Sequence, residues 1–528
     1  MKRLLAAIPL LLLLAAPPVS AGPDGPTGAE VIRLLDGTLM EKAAAKLAQV
    51  PADDRDRPWA EALLQFHYGD YAAADAALPD RDPPPGLEWL PTRIAAAKEV
   101  TADFLERTEQ NFVYRFHPGA DAILVDYAVE ALEGQRAAMA RVLGVAPQRP
   151  IVVEFFPELT SFVAATGLPP EWVETTNTVA ICKWDRMMVL SPMNMARGYP
   201  WKDTLAHEYV HLVLSRASGN QAPIWFQEGS AKVMESWWRK GPRPGPFELD
   251  PRSETMLSAA IGADSLIPFA DMHPSMAALP SPEAAGLAFA EVATAIDFIL
   301  GEVGEAGYRR IVDQTAGHGQ IMRAVDATLG LRGGGFEARW ERWLKSQPLE
   351  KVFDEIIIGV RDVDIETGAA GQRDESGEEM DEVILEERKA EDLVRVGDML
   401  RLRGHVRAAL IEYQRAAGEM RSHSPMLANK QARALRDLGE LAIARDVLQE
   451  TVDLYPEYSP TVTLLAELSL KADDPVAAEE YAMQSIGLNP FNPTPHLVLA
   501  AIYEEAGRED ELQREKTVLS VLNTYVDW

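Results

Sequence analysis

Between Thr204 and Ser215 the chain is apolar at Leu205, Ala206, Tyr209, Val210, Leu212, Val213 and Leu214. It is polar at Thr204, His207, Glu208, His211 and Ser215, which fall at helical intervals on one face. A helix that is apolar nearly all round is a buried helix. Its one polar stripe must then be paired, wet or bound to an ion, because unpartnered buried polar groups cost several kcal/mol. At 3.6 residues per turn, positions i and i+4 stand one above the other, so the imidazoles of His207 and His211 can reach one ion together. Glu208 then points beside that ion, where a general base takes a proton from water. A third ligand has to come from another segment. Glu228, in Ile224-Trp-Phe-Gln-Glu-Gly-Ser-Ala231 and seventeen positions after His211, is the candidate. The set reads as the site of a hydrolase using one zinc ion. With nine histidines in 528 residues, a chance His-Glu-x-x-His arises in roughly one or two of a hundred such chains, so the motif is fairly specific. The competing readings are core histidines bonded to their neighbours, or a relic site that no longer holds metal.

The pairing of HEYVH with WFQEGSA resembles the gluzincin metallopeptidases, and more narrowly the bacterial peptidase MA-like domains, whose second motif has the form Trp-x-x-Glu-Gly-x-Ala. The resemblance runs over about residues 100 to 350. It implies His207, His211 and Glu228 as zinc ligands, Glu208 as the base, and a peptide or protein substrate. It also implies an α+β, thermolysin-like zincin domain, with a small mixed sheet before the site and a helical half after it. Asn111–Gly119 is expected to open with a strand, Ile151–Pro157 to form a second, and residues 178–183 and 187–191 a hairpin. One hairpin strand is the candidate for the edge that holds extended peptide.

The chain also departs from that pattern. Thermolysin-like enzymes carry an aspartate four residues after the glutamate ligand to orient a histidine, and Lys232 stands there. Where related domains place a tyrosine near the metal, this chain has Phe289, and the Gly-x-Met-Glu-Asn signature of the aminopeptidase branch is missing. Tyr199, His273, Tyr308 and His318 are weak candidates for the oxyanion donor, each more commonly an ordinary surface or packing residue.

Met1-Lys2-Arg3, a leucine-rich run to Ala16 and Val19-Ser20-Ala21 are the three parts of a secretory signal, with cleavage expected after Ala21. No later segment is expected to span a membrane, so the mature chain should be exported and soluble, periplasmic or extracellular. A single cysteine, Cys182, allows no intramolecular disulfide and is expected to pack rather than react. The net charge of −30 argues against nucleic acid and anionic membrane, which would repel it.

Much of the acid excess lies between Asp362 and Asp392, a stretch of low apolar content that reads as a linker over 351–390. Past it the chain repeats. Pro456 and Pro490 stand 490 − 456 = 34 residues apart, and Gly404…Ala409 and Gly439…Ala444 share one spacing. This resembles an all-α tetratricopeptide array over 391–528, whose groove implies a protein partner. A shorter echo at Gly37 and Gly69 suggests divergent repeats or a plain helical cap over 22–100. The domain order expected is therefore signal 1–21, helical region 22–100, peptidase-like domain 101–350, linker and array. The linker composition also implies that the array can be separated from the domain before it. The leading functional reading is an exported zinc metallopeptidase; the alternative is a non-catalytic scaffold built on a decayed peptidase domain, and zinc content with peptide turnover separates them.

Overall fold

The computed structural model describes residues 25–169, 173, 178–241, 247–273, 275–332, 335–353, 388–420 and 422–525. The signal expected at 1–21 and all but the two ends of the linker expected at 351–390 lie outside the described residues.

Five strands make one mixed sheet: β1 (Leu105–Glu109), β2 (Phe112–Phe116), β3 (Ile151–Phe156), β4 (Ala180–Lys183) and β5 (Arg186–Leu190), in the spatial order β1-β2-β3-β5-β4. The inner pairs β2–β3 and β3–β5 are parallel, and the outer pairs are antiparallel. The strands expected near 111, 151, 178 and 187 are all present. β1 is the additional one: Leu-Glu-Arg-Thr-Glu is mostly exposed and charged and shows no apolar alternation.

Period-2 alternation divides the sheet into two faces. Phe112, Tyr114 and Phe116 of β2, with Val153 and Phe155 of β3, enter the main core, which also holds Leu205, Tyr209, Val210 and Val213 of the helix Trp201–Ser218. Val113, Arg115, Val152 and Glu154 therefore face the other way, toward N-terminal helices that include Arg57–His67 and Tyr71–Ala77. There the fully buried Glu154 accepts hydrogen bonds from the Tyr71 hydroxyl at 2.6 and 2.7 Å, and Arg186 lies 3.5 Å from it. Arg186 in turn stacks over Phe66, 4.3 Å from the ring centre. A buried carboxylate is tolerated because it is paired and bonded in this way.

The helical half centres on Pro282–His318, interrupted at Gly304. Its 282–316 part is long and apolar enough to cross a membrane, which corrects the expectation that no such segment exists. The apolar residues are turned inward: Ala288, Val292, Ile296, Ile299 and Leu300 are all in the protein core. The helix Ile224–Met234 crosses it at Gly229, where a Cβ would stand 2.4 Å from the Val292 carbonyl oxygen.

Eight helices run from Arg388 to Tyr525, each packed on the next. Those starting at Pro425, Ser459 and Pro493 recur every 34 residues, the period read from the sequence. Separability does not follow from the acidic stretch. Ile486, Phe491, Val498, Leu499, Leu512 and Leu522 share one core with the sheet and the helix Trp201–Ser218. Tyr127 donates to the buried Glu515 at 2.9 Å, and His496 Nδ1 lies 2.7 Å from the same carboxylate. The Trp201 indole N–H donates to the Ile486 carbonyl at 2.8 Å, and the Tyr199 N–H to that of Leu488 at 2.9 Å. Gly198, at φ +70°, has no room for a side chain, since a Cβ would meet the Leu488 oxygen at 2.0 Å.

Candidate active site

The helix Trp201–Ser218 carries Asp203 in its first turn and Arg216 in its last, each suited to the helix dipole, and ends on Gly219. Its polar stripe faces the helix Ile224–Met234. The rings of His207 and His211 lie 4.9 Å apart, and each Nε2 stands 3.4 Å from Oε2 of Glu228. One donor atom from each of the three residues falls within 4.8 Å of the other two. The spacing thus brings together all three residues expected to share an ion.

The outer nitrogens decide whether the trio suits a metal. His207 Nδ1 lies 3.0 Å from Glu235 Oε2, and His211 Nδ1 lies 3.3 Å from Gln227 Oε1. Both partners are acceptors, so each Nδ1 carries its hydrogen, and a ring in its neutral form turns a lone pair on Nε2 toward Glu228. Three electron-rich atoms then converge on one point, an arrangement that repels itself unless protons on the rings or a metal cation lie between them. Two imidazoles and a carboxylate are a donor set that zinc takes, and outer partners on the ligand histidines are what such sites use to fix the rings. The residues present fit the ion.

The same demand for positive charge governs proton affinity. Burial pulls His207 down, but Glu228 and Glu235 outweigh it and hold the ring up to about 10. His211 is likewise raised against burial, mainly by Glu228. Burial pushes Glu228 up, yet His211 and His207 bring it well below the usual carboxylate range. Glu208 is 6% exposed. Burial raises its carboxyl, opposed by His211 and His207 and by the Cys182 backbone N–H that donates to it. Cys182 belongs to β4, so the sheet edge touches the expected base. Its own thiol is pushed well up by burial and by Glu208, and stays protonated.

Sequence reasoning missed the residues behind the ligands. Lys232, standing where an orienting aspartate was expected, lies 2.7 Å from Glu235 Oε1 and holds that carboxylate against His207. Glu235 follows Glu228 by seven residues, two helical turns, and that interval was the available signal. Gln227 is fixed by donating to the Ser215 hydroxyl at 3.2 Å. Of the oxyanion candidates, the Tyr199 hydroxyl donates to the Leu190 carbonyl at 2.5 Å and the Tyr308 hydroxyl to Ser230 at 2.7 Å; both are buried and committed elsewhere. His273 is exposed on a loop, and the side chain of His318 lies outside the described residues.

A family model for the Peptidase MA superfamily matches residues 132–346, the span that holds both site helices. Residues 132–346 are a peptidase MA superfamily domain. Within it lie His207, Glu208, His211 and Glu228, together with Gln227 and Glu235. Among curated proteins none matches the sequence. Among solved structures, native yeast LTA4 hydrolase is similar at 10% identity over 81% of this chain and 67% of its own, with a TM-score of 0.31. At that score the likeness carries no argument.

Proposed function

We propose that this chain is an exported, zinc-dependent metallopeptidase whose C-terminal helices form a tetratricopeptide-type array that binds a protein partner. The observation that carries the catalytic part is the convergence of His207 Nε2, His211 Nε2 and Glu228 Oε2, with both Nδ1 atoms held from behind. His207, His211 and Glu228 would hold the ion. When bound, zinc supplies the Lewis acidity that polarises a carbonyl and makes water acidic enough to attack at neutral pH.

The remaining work falls to the chain. Glu208 adjoins His207 and is steadied by the Cys182 N–H; it takes a proton from the attacking water and returns it to the leaving amine. β4 is an edge strand beside the site helix, suited to hold an extended peptide by its backbone groups. Glu235 and Gln227 fix the two rings so that both ligand nitrogens stay aimed at one point. Export rests on the charged start, the leucine run and Ala21; the array rests on the 34-residue recurrence.

Metal analysis of the purified protein, with turnover of a mixed peptide library, tests the proposal. The expected result is one zinc per chain and hydrolysis that stops with a chelator and returns with zinc. Failure to bind metal after reconstitution at neutral pH would leave the scaffold reading in its place.

A further inference from the structure

On the face of the sheet turned away from the metal trio, the N-terminal helices and the outward residues Val113 and Val152 border a half-open cavity of about 260 Å³. We infer that this cavity is a binding site for a small carboxylate, read by the guanidinium of Arg149 with His67 and Gln65 beside it.

The inference rests on which lining charges are already spent. Asp185 is gripped by Arg216 at 2.8 and 2.5 Å. Asp70 caps the Ala73 N–H at 2.9 Å. Glu106 is held at 3.0 Å by Arg115, which also donates to the Gly69 carbonyl. Arg149 is the cation left over: its guanidinium centre lies 3.5 Å from the Tyr68 ring centre, and it makes no ion pair among the described residues. A guanidinium stacked on a ring keeps its N–H fork free at the edge, a geometry that suits the two oxygens of a carboxylate.

His67 is the second observation. It is 5% exposed and lines the cavity, yet its Nδ1 has no hydrogen-bond partner. Burial, with Arg186 nearby, holds this ring down to about 3, so it is a neutral donor and acceptor at any working pH. A buried polar group left unpartnered costs stability, and because Nδ1 is closed off from solvent a ligand pairs with it only by moving the wall over it. Arg149, whose charge also reaches Asp185, stands beside the carboxylates of Asp70, Glu106 and Asp185, so the site suits a monoanionic head, and a phosphate dianion would be repelled by that rim. The volume falls just under the usual range of ligand sites and suits a small molecule.

Calorimetric titration of the full chain with acetate, succinate, L-glutamate and inorganic phosphate tests the site. At least one carboxylate should bind with a submillimolar Kd, and Arg149→Ala should weaken it about tenfold or more. Arg149 is exposed, so the variant should fold, as circular dichroism will show. Arg149→Lys keeps the charge without the fork and should bind between the two. No carboxylate binding at millimolar concentrations, equal affinity in Arg149→Ala, or phosphate bound more tightly than every carboxylate would overturn the inference. Because the cavity lies across the sheet from His207, His211 and Glu228, these outcomes do not depend on zinc.

Discussion

At the scale of single residues, the two glutamates of the site are assigned different work, and substitution should separate them. Glu208→Gln removes the base and leaves all three ligands, so zinc should stay stoichiometric while kcat falls by about 10²-fold or more. Glu228→Ala removes a ligand, so zinc itself should be lost on dialysis. Wild-type zinc affinity in Glu228→Ala would require a different third ligand. Glu235→Gln keeps an acceptor on His207 but breaks the hold of Lys232, and zinc should bind roughly tenfold to a hundredfold more weakly in a competition titration. The grouping of His207 with His211 was legible because i and i+4 on an apolar helix leave two histidines few alternatives, and the structure brings Glu228 to them. The outer residues were not, because Lys232 occupies the turn where a carboxylate was sought, and Glu235 does the job one turn later. Nor does sequence show that Tyr199 and Tyr308 spend their hydroxyls on Leu190 and Ser230.

At the scale of elements, two helix contacts make predictions. Gly229 lets the helix bearing Glu228 lie directly on Pro282–His318. Gly229→Ala would push the two apart, and should lower stability by about 1–3 kcal/mol in denaturant titration, with weakened zinc binding because Glu228 is the preceding residue. On the long helix, Glu291 is fully buried, its carboxylate accepting the Ile267 N–H at 3.0 Å, and burial pushes its carboxyl up to about 8. The native state therefore keeps the proton that the unfolded chain gives up near its ordinary value of 4.5. That contribution to stability is full below about pH 4.5 and is lost as pH rises toward 8, by up to about 1.4 kcal/mol per pH unit. Glu291→Gln should flatten this part of the stability–pH profile; an unchanged slope would show that Glu291 is ionised in the fold. The inner strands and the site helix were readable from apolar pattern. β1 was not, because an edge strand of charged residues is stabilised by pairing with β2 and has no buried face to announce it.

At the scale of the whole molecule, the repeats and the peptidase MA domain form one body. A chain ending at Leu349 would strip the partners from Tyr127, Trp201 and the core around Phe155, leaving a large apolar surface. It should aggregate or melt at a much lower temperature than the full protein, measurable by light scattering and calorimetry; a soluble, zinc-loaded fragment would show that the shared core is dispensable. The 34-residue recurrence was visible in the sequence, but its docking was not. The contacts join positions hundreds of residues apart, and an acidic stretch between them gives no sign of whether its two ends are held together.

The two carbonyls at the end of the helix Pro475–Leu488 also have a consequence in time. The ribosome makes Trp201 first, and the group its indole holds lies 285 residues later. At ordinary rates of synthesis that is about 15 to 60 seconds of further elongation. For that interval the nascent chain carries His207, His211 and Glu228 without the brace that seats the helix Trp201–Ser218. A chain interrupted before Ile486 never acquires that brace.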